Sequence, residues 1–137
     1  MITLNQYVGP HRDNPDWTPE CEQEATKLLA KCCALEAEMA RGGVLFPDNP
    51  ATKSGVSGQI YGGFRPQSCP QGAPDSSHKK AQGVDRYDPR EEIDNWCLVH
   101  PDRLVFHGIY IEHPSATKGW SHWTTRAPKS GNRIFYP

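Results

Sequence analysis

His78 and Asp85 lie seven residues apart in Ser76-Ser77-His78-Lys79-Lys80-Ala81-Gln82-Gly83-Val84-Asp85, and His122 follows far downstream in Gly119-Trp120-Ser121-His122-Trp123. That spacing is longer than the three or four residues at which neighbours on a helix touch. It suits a loop that enters a strand, with small residues between and both side chains bent back to one point. His122 would complete a set of two imidazoles and one carboxylate. Such a set suits zinc better than magnesium or calcium. Three protein ligands leave a fourth position for a water, which the metal makes nucleophilic near neutral pH. His113, just before Pro114, is a second candidate for the third ligand, and spacing alone leaves the choice open.

The stretch from Gly62 to Asp85 resembles the D-alanyl-D-alanine carboxypeptidase and Hedgehog-type zinc peptidase superfamily. The signature is Ser-x-His-x-x-Gly-x-Ala-x-Asp after a Ser/Gly-Gly-Tyr-Arg segment; this chain has Gly62-Gly63-Phe64-Arg65-Pro66 and then Ser76 to Asp85. The Gly and Ala of the signature are exchanged, as Ala81 and Gly83, and both stay small. Trp120-Ser121-His122 matches the superfamily's last ligand. The resemblance is closest to small phage and prophage members, which are read as cell-wall peptidases.

That resemblance implies zinc as cofactor, His78, Asp85 and His122 as its ligands, and a peptidoglycan stem peptide as substrate. It places Arg65 and Ser76 beside the substrate; an arginine grips a carboxylate with two parallel hydrogen bonds. The superfamily's acid three residues before the last His is Gly119 here, and the acid that small members carry two residues after it is Thr124. The nearest acid is Glu112, which becomes the candidate general base because a base must reach the metal-bound water. The alternative is a module that kept zinc and lost the base, serving as a phage structural or wall-binding protein. A metal nuclease is a third possibility, against which the net charge of −1 counts.

The elements that must position these residues follow from pattern. Thr18 as N-cap, Pro19 at the first helical position and the acids Glu20 and Glu22 open a helix. Cys21, Ala25, Leu28, Leu29, Cys32, Leu35 and Met39 recur along one face, and Gly42-Gly43 ends it. Residues 1–17 predict an extended lead-in and 44–58 a loop. Ser57 to Arg65 has strand character, with glycines where backbone must approach something closely. Residues 66–77 form a polar loop and Val84 to Tyr87 a strand. Asp88 and Glu91 predict a capping box for a second helix carrying Ile93, Trp96, Cys97 and His100 inward, stopped by Pro101. Leu104 to Phe106, Gly108 to Ile111 and the tail from Trp120 to Tyr136 predict short strands. The fold class is α+β: a small, mostly antiparallel sheet with two main helices packed on it, in one domain over 1–137.

Thirteen Pro and twelve Gly in 137 residues predict many loops. The charge gives no basis for broad capture of nucleic acid. No apolar run approaches the ~18 residues a membrane-crossing helix needs. The start, Met1 to Tyr7, lacks the pattern of a secretory signal. The expectation is therefore synthesis in a host cytoplasm and action at the cell wall, or within a virion. Five Cys, an odd number, favour buried thiols in a reducing compartment over a disulfide framework. Lys79, Lys80, Arg86 and Arg90 predict a solvated basic face. Oligomeric state and the choice between endo and exo cleavage have no signal here.

Overall fold

Backbone hydrogen bonding and side-chain period together give an α+β fold. The computed structural model describes residues 1–58 and 61–137. In it four α-helices, α1 (Leu4–Val8), α2 (Pro19–Arg41), α3 (Glu92–Val99) and α4 (Pro101–His107), accompany four strands, β1 (Gly83–Tyr87), β2 (Tyr110–Glu112), β3 (Trp120–Thr124) and β4 (Ile134–Phe135). The sheet order is β1-β3-β2-β4. β3 runs antiparallel to both β1 and β2, while β4 lies parallel to β2, so the sheet is mixed.

Period-two alternation gives the sheet two unlike faces. Val84 stands opposite Trp123, Trp123 opposite Ile111, and Ile111 opposite Ile134. This row faces the core, where it joins Leu28, Leu35 and Met39 of α2 with Ile93, Cys97 and Leu104. The expected cap of α2 is present: the Thr18 side chain accepts from the Cys21 amide, and Pro19 opens the helix. Arg86, also on the inner face, is buried and pairs with Glu36 of α2 at 3.0 Å. Its guanidinium lies against the rings of Phe46 and Trp123. The expected solvated basic face is thus wrong for Arg86. It is wrong for Lys79 too, which is buried and donates to the Cys69 carbonyl at 2.9 Å.

Other expectations are corrected. The lead-in contains α1, opened by a Thr3–Gln6 capping box. Leu104 to Phe106 belong to α4, because Pro101 both stops α3 and opens the next helix. α3 begins at Glu92, not after Asp88; Asp88 still accepts from the Ile93 and Asp94 amides at 3.1 and 3.0 Å. Among the described residues of 57–65 there is no strand, and Gln59 and Ile60 lie outside them. Ser57 donates to the Asp85 carbonyl at 2.7 Å and the Asp85 amide to Gly62 at 2.8 Å, so Ser57 and Gly62 cover the open edge of β1. The glycines there are required as expected. A Cβ on Gly62 would stand 1.7 Å from the Ser57 oxygen, and one on Gly63 2.0 Å from that of Tyr7.

Candidate metal centre

The outer face of the sheet carries the chemistry. Asp85 stands directly opposite His122 in the β1–β3 ladder. The β2–β3 ladder pairs Ile111 with Trp123, and continuing that register by one residue brings Glu112 beside His122. Glu112 in turn pairs with Phe135. One row across the sheet therefore presents Asp85, His122, Glu112 and Phe135 to the same cleft of about 720 Å³.

His78 reaches this row from a short 3-10 helix, Ser77–Lys80, just before β1. Ser76 caps that helix, its side chain accepting from the His78 amide at 3.3 Å. The helix ends at Ala81, whose φ of 57° is left-handed. Glycine would adopt this conformation without a steric cost. Gly83 sits where a Cβ would stand 2.4 Å from Ser77 Oγ and 3.0 Å from the His122 ring. Ala81 thus carries backbone strain, and Gly83 leaves the room that Ser77 and the His122 ring occupy.

His78, Asp85 and His122 form a group that could hold a metal ion: one donor atom from each lies within 4.8 Å of the others. His78 Nε2 is 3.2 Å from Asp85 Oδ1, and His122 Nδ1 is 2.8 Å from the same oxygen. Donors around a tetrahedral zinc at 2.0–2.1 Å stand about 3.3 Å apart. All three side chains are largely withdrawn from solvent.

The hydrogen-bond pattern gives a sharper test of fit. His78 Nδ1 lies 2.8 Å from the Gly63 carbonyl oxygen, which can only accept, so Nδ1 carries the hydrogen. A neutral His78 then turns the lone pair of Nε2 toward Asp85 Oδ1, acceptor against acceptor. Either a second proton or a cation must lie between them. Burial lowers the His78 pKa, against the opposing pull of Asp85, and so disfavours the proton. A metal ion fits. On His122 the other nitrogen, Nε2, lies 3.3 Å from Ser77 Oγ, a partner that can fix the ring and free Nδ1 for the metal.

Asp85 is held ionised. Burial raises its pKa, and the charge and hydrogen bonds of the imidazoles in their protonated form more than reverse this, so in the metal-free site it lies far below the usual carboxylate range. Its second oxygen accepts from Arg65 Nη2 at 3.3 Å, and Arg65 Nε donates to the Tyr61 carbonyl at 2.7 Å. Arg65 is therefore an orienting partner of Asp85 as well as a cleft residue.

Glu112 is half-buried in the cleft. Burial raises its pKa; His122 and Arg65 draw it down, and Asp85 pushes it up. His113 is not part of the group. Its Nδ1 lies 2.9 Å from Ser115 Oγ and its ring stacks on Tyr136. Trp120 lines the cleft, whereas Trp123 is core. Neither Gly119 nor Thr124 supplies an acid: Gly119 sits in a turn at φ 89°, and Thr124 Oγ1 donates to the Gln82 carbonyl. Sequence reasoning missed Ser77, the Gly63 carbonyl and Arg126, whose guanidinium donates to the Asp75 carbonyl at the cleft. A backbone oxygen has no sequence signature, but Ser77, adjacent to His78, could have been considered.

Comparison of the chain with protein-family models, with curated proteins and with solved structures gives no match.

Proposed function

We propose that the chain is a zinc-dependent peptidase that hydrolyses peptide bonds of peptidoglycan stem peptides. The observation that carries this is the single row of Asp85, His122 and Glu112, with His78 closing the donor set. When bound, zinc would supply Lewis acidity at the scissile carbonyl and lower the pKa of a water. The residues do the rest. His78, Asp85 and His122 would hold the ion, and Arg65 fixes the orientation of Asp85. Glu112 would take the proton of the attacking water at its carboxylate and deliver it to the leaving amine. A carboxylate whose pKa is raised by burial is suited to that exchange near neutral pH. The peptidoglycan assignment rests on the resemblance of Gly62 to Asp85 and of Trp120 to His122. With it goes a lysis-type role, the protein reaching the wall from a host cytoplasm or a virion.

The absence of an acid at Gly119 and Thr124 favours a second reading, a zinc-bearing wall-binding or particle component. Glu112→Gln separates the two. The peptidase reading expects the variant to keep its zinc and lose about 10²–10⁴-fold of its rate on wall fragments. A zinc-loaded wild type that cleaves no wall fragment would establish the second reading instead.

A further inference from the structure

We infer that the site binds a peptide chain that continues on both sides of the metal centre, so that the bond cut is internal to the chain; this rests on the peptidase reading above. Two clefts meet at the centre. The larger, of about 720 Å³, carries His78, His122 and Glu112. The smaller, of about 350 Å³, is lined by Ser57, Tyr61 and Gln71. Both are lined by Arg65, Asp85 and Trp120. Asp85 turns Oδ1 to the imidazoles and Oδ2 to Arg65, so the Arg65–Asp85 pair marks the junction.

An enzyme that removes one terminal residue needs a stop beyond the cut bond, usually a cation that grips the chain-end carboxylate. Arg65 is poorly placed for that. Its Nε and Nη2, one edge of the guanidinium fork, are already given to the Tyr61 carbonyl and to Asp85. Beyond it, among the described residues, lies the smaller cleft. Arg126 and Lys129 also line the larger cleft, on the loop that follows β3. Arg126 already donates to the Asp75 carbonyl, and with Lys129 it would meet a side-chain carboxylate of the continuing chain on one side of the centre, while Ser57, Tyr61 and Gln71, which line only the smaller cleft, offer uncharged polar groups on the other.

The test uses zinc-loaded Glu112→Gln, which holds substrate without cutting it, and two probes: a single stem peptide and a cross-linked stem dimer, titrated while tryptophan fluorescence is followed. The dimer should bind at least about tenfold more tightly, the extra ~1.4 kcal/mol coming from the second cleft. Gln71→Trp, placed in the smaller cleft, should collapse that preference. Wild-type products from the dimer should carry two or more residues on each side of the cut. Equal affinity for the two probes, a preference untouched by Gln71→Trp, or release of single terminal residues would each overturn the inference. Retained preference without any cleavage by the wild type would support the two-sided groove and refute the peptidase reading, so the two fail separately.

Discussion

Each donor of the candidate centre is held by a second group, and that group is where a small change should tell. His122 turns Nε2 toward Ser77 Oγ. Ser77→Ala should lower zinc affinity about 10–100-fold, the usual cost of losing a partner behind a ligand, with little change in the unfolding of the zinc-free chain. Competition with a chelating dye measures it, and unchanged affinity would remove Ser77 from the site. Gly83→Ala forces a methyl against Ser77 Oγ and the His122 ring. It should destabilise by about 1–3 kcal/mol in urea unfolding, and combination with Ser77→Gly should recover part of that. The proximity of the three candidate donors was legible because residue type and order carry it: two imidazoles and a carboxylate have few shared uses. What holds them was less so. The Gly63 carbonyl is backbone. The choice between His113 and His122 turns on contacts that sequence does not show: His122 stands beside Asp85, and His113 is held by Ser115 and Tyr136.

Among the elements, strand register does most to build the site. Glu112 is adjacent to His122 only because β2 and β3 pair as they do, although a turn around Pro114 separates them in sequence. α2 was legible from its cap and its repeating apolar face, and β1 from Val84 to Tyr87. α4 was not, because Leu104 to Phe106 is three adjacent apolar residues and carries no period. α1 was missed although its Thr3–Gln6 capping box is written in the sequence. The position of β1 depends on its tie to α2 through Arg86 and Glu36. Arg86→Met leaves Glu36 with the Met1 ammonium, at 3.0 Å, as its remaining ion partner and should cost about 1–3 kcal/mol. Chemical denaturation checks this; a cost below about 1 kcal/mol would mean that ring packing from Phe46 and Trp123, rather than charge, sets the strand.

At the scale of the whole molecule, stability should depend on pH through Asp94. This carboxyl is buried where α3 meets the sheet and accepts from Thr117 Oγ1 at 3.2 Å. Burial pushes its pKa up from 3.8 to about 7, Asp88 adding to the rise and hydrogen bonds from Ser121 and Thr117 opposing it. The folded chain therefore holds a proton that the unfolded chain releases between about pH 4 and pH 7. Stability from this group is complete below the unfolded pKa and is lost as pH rises through the folded one. Asp94→Asn should flatten the decline between those limits by on the order of 1–3 kcal/mol, seen as thermal unfolding that depends less on pH. An unaltered pH profile in the variant would assign the dependence elsewhere. A metal ion bound only by the folded chain would act on the same balance, stabilising it by mass action.

The most direct measurement is the zinc content of the purified wild type beside His78→Ala and Asp85→Ala, after supply of zinc and removal of the excess. One ion per chain in the wild type and none in either variant is the predicted result. A wild type that retains no zinc, or variants that retain as much as the wild type, would contradict the assignment of His78, Asp85 and His122 as a metal centre.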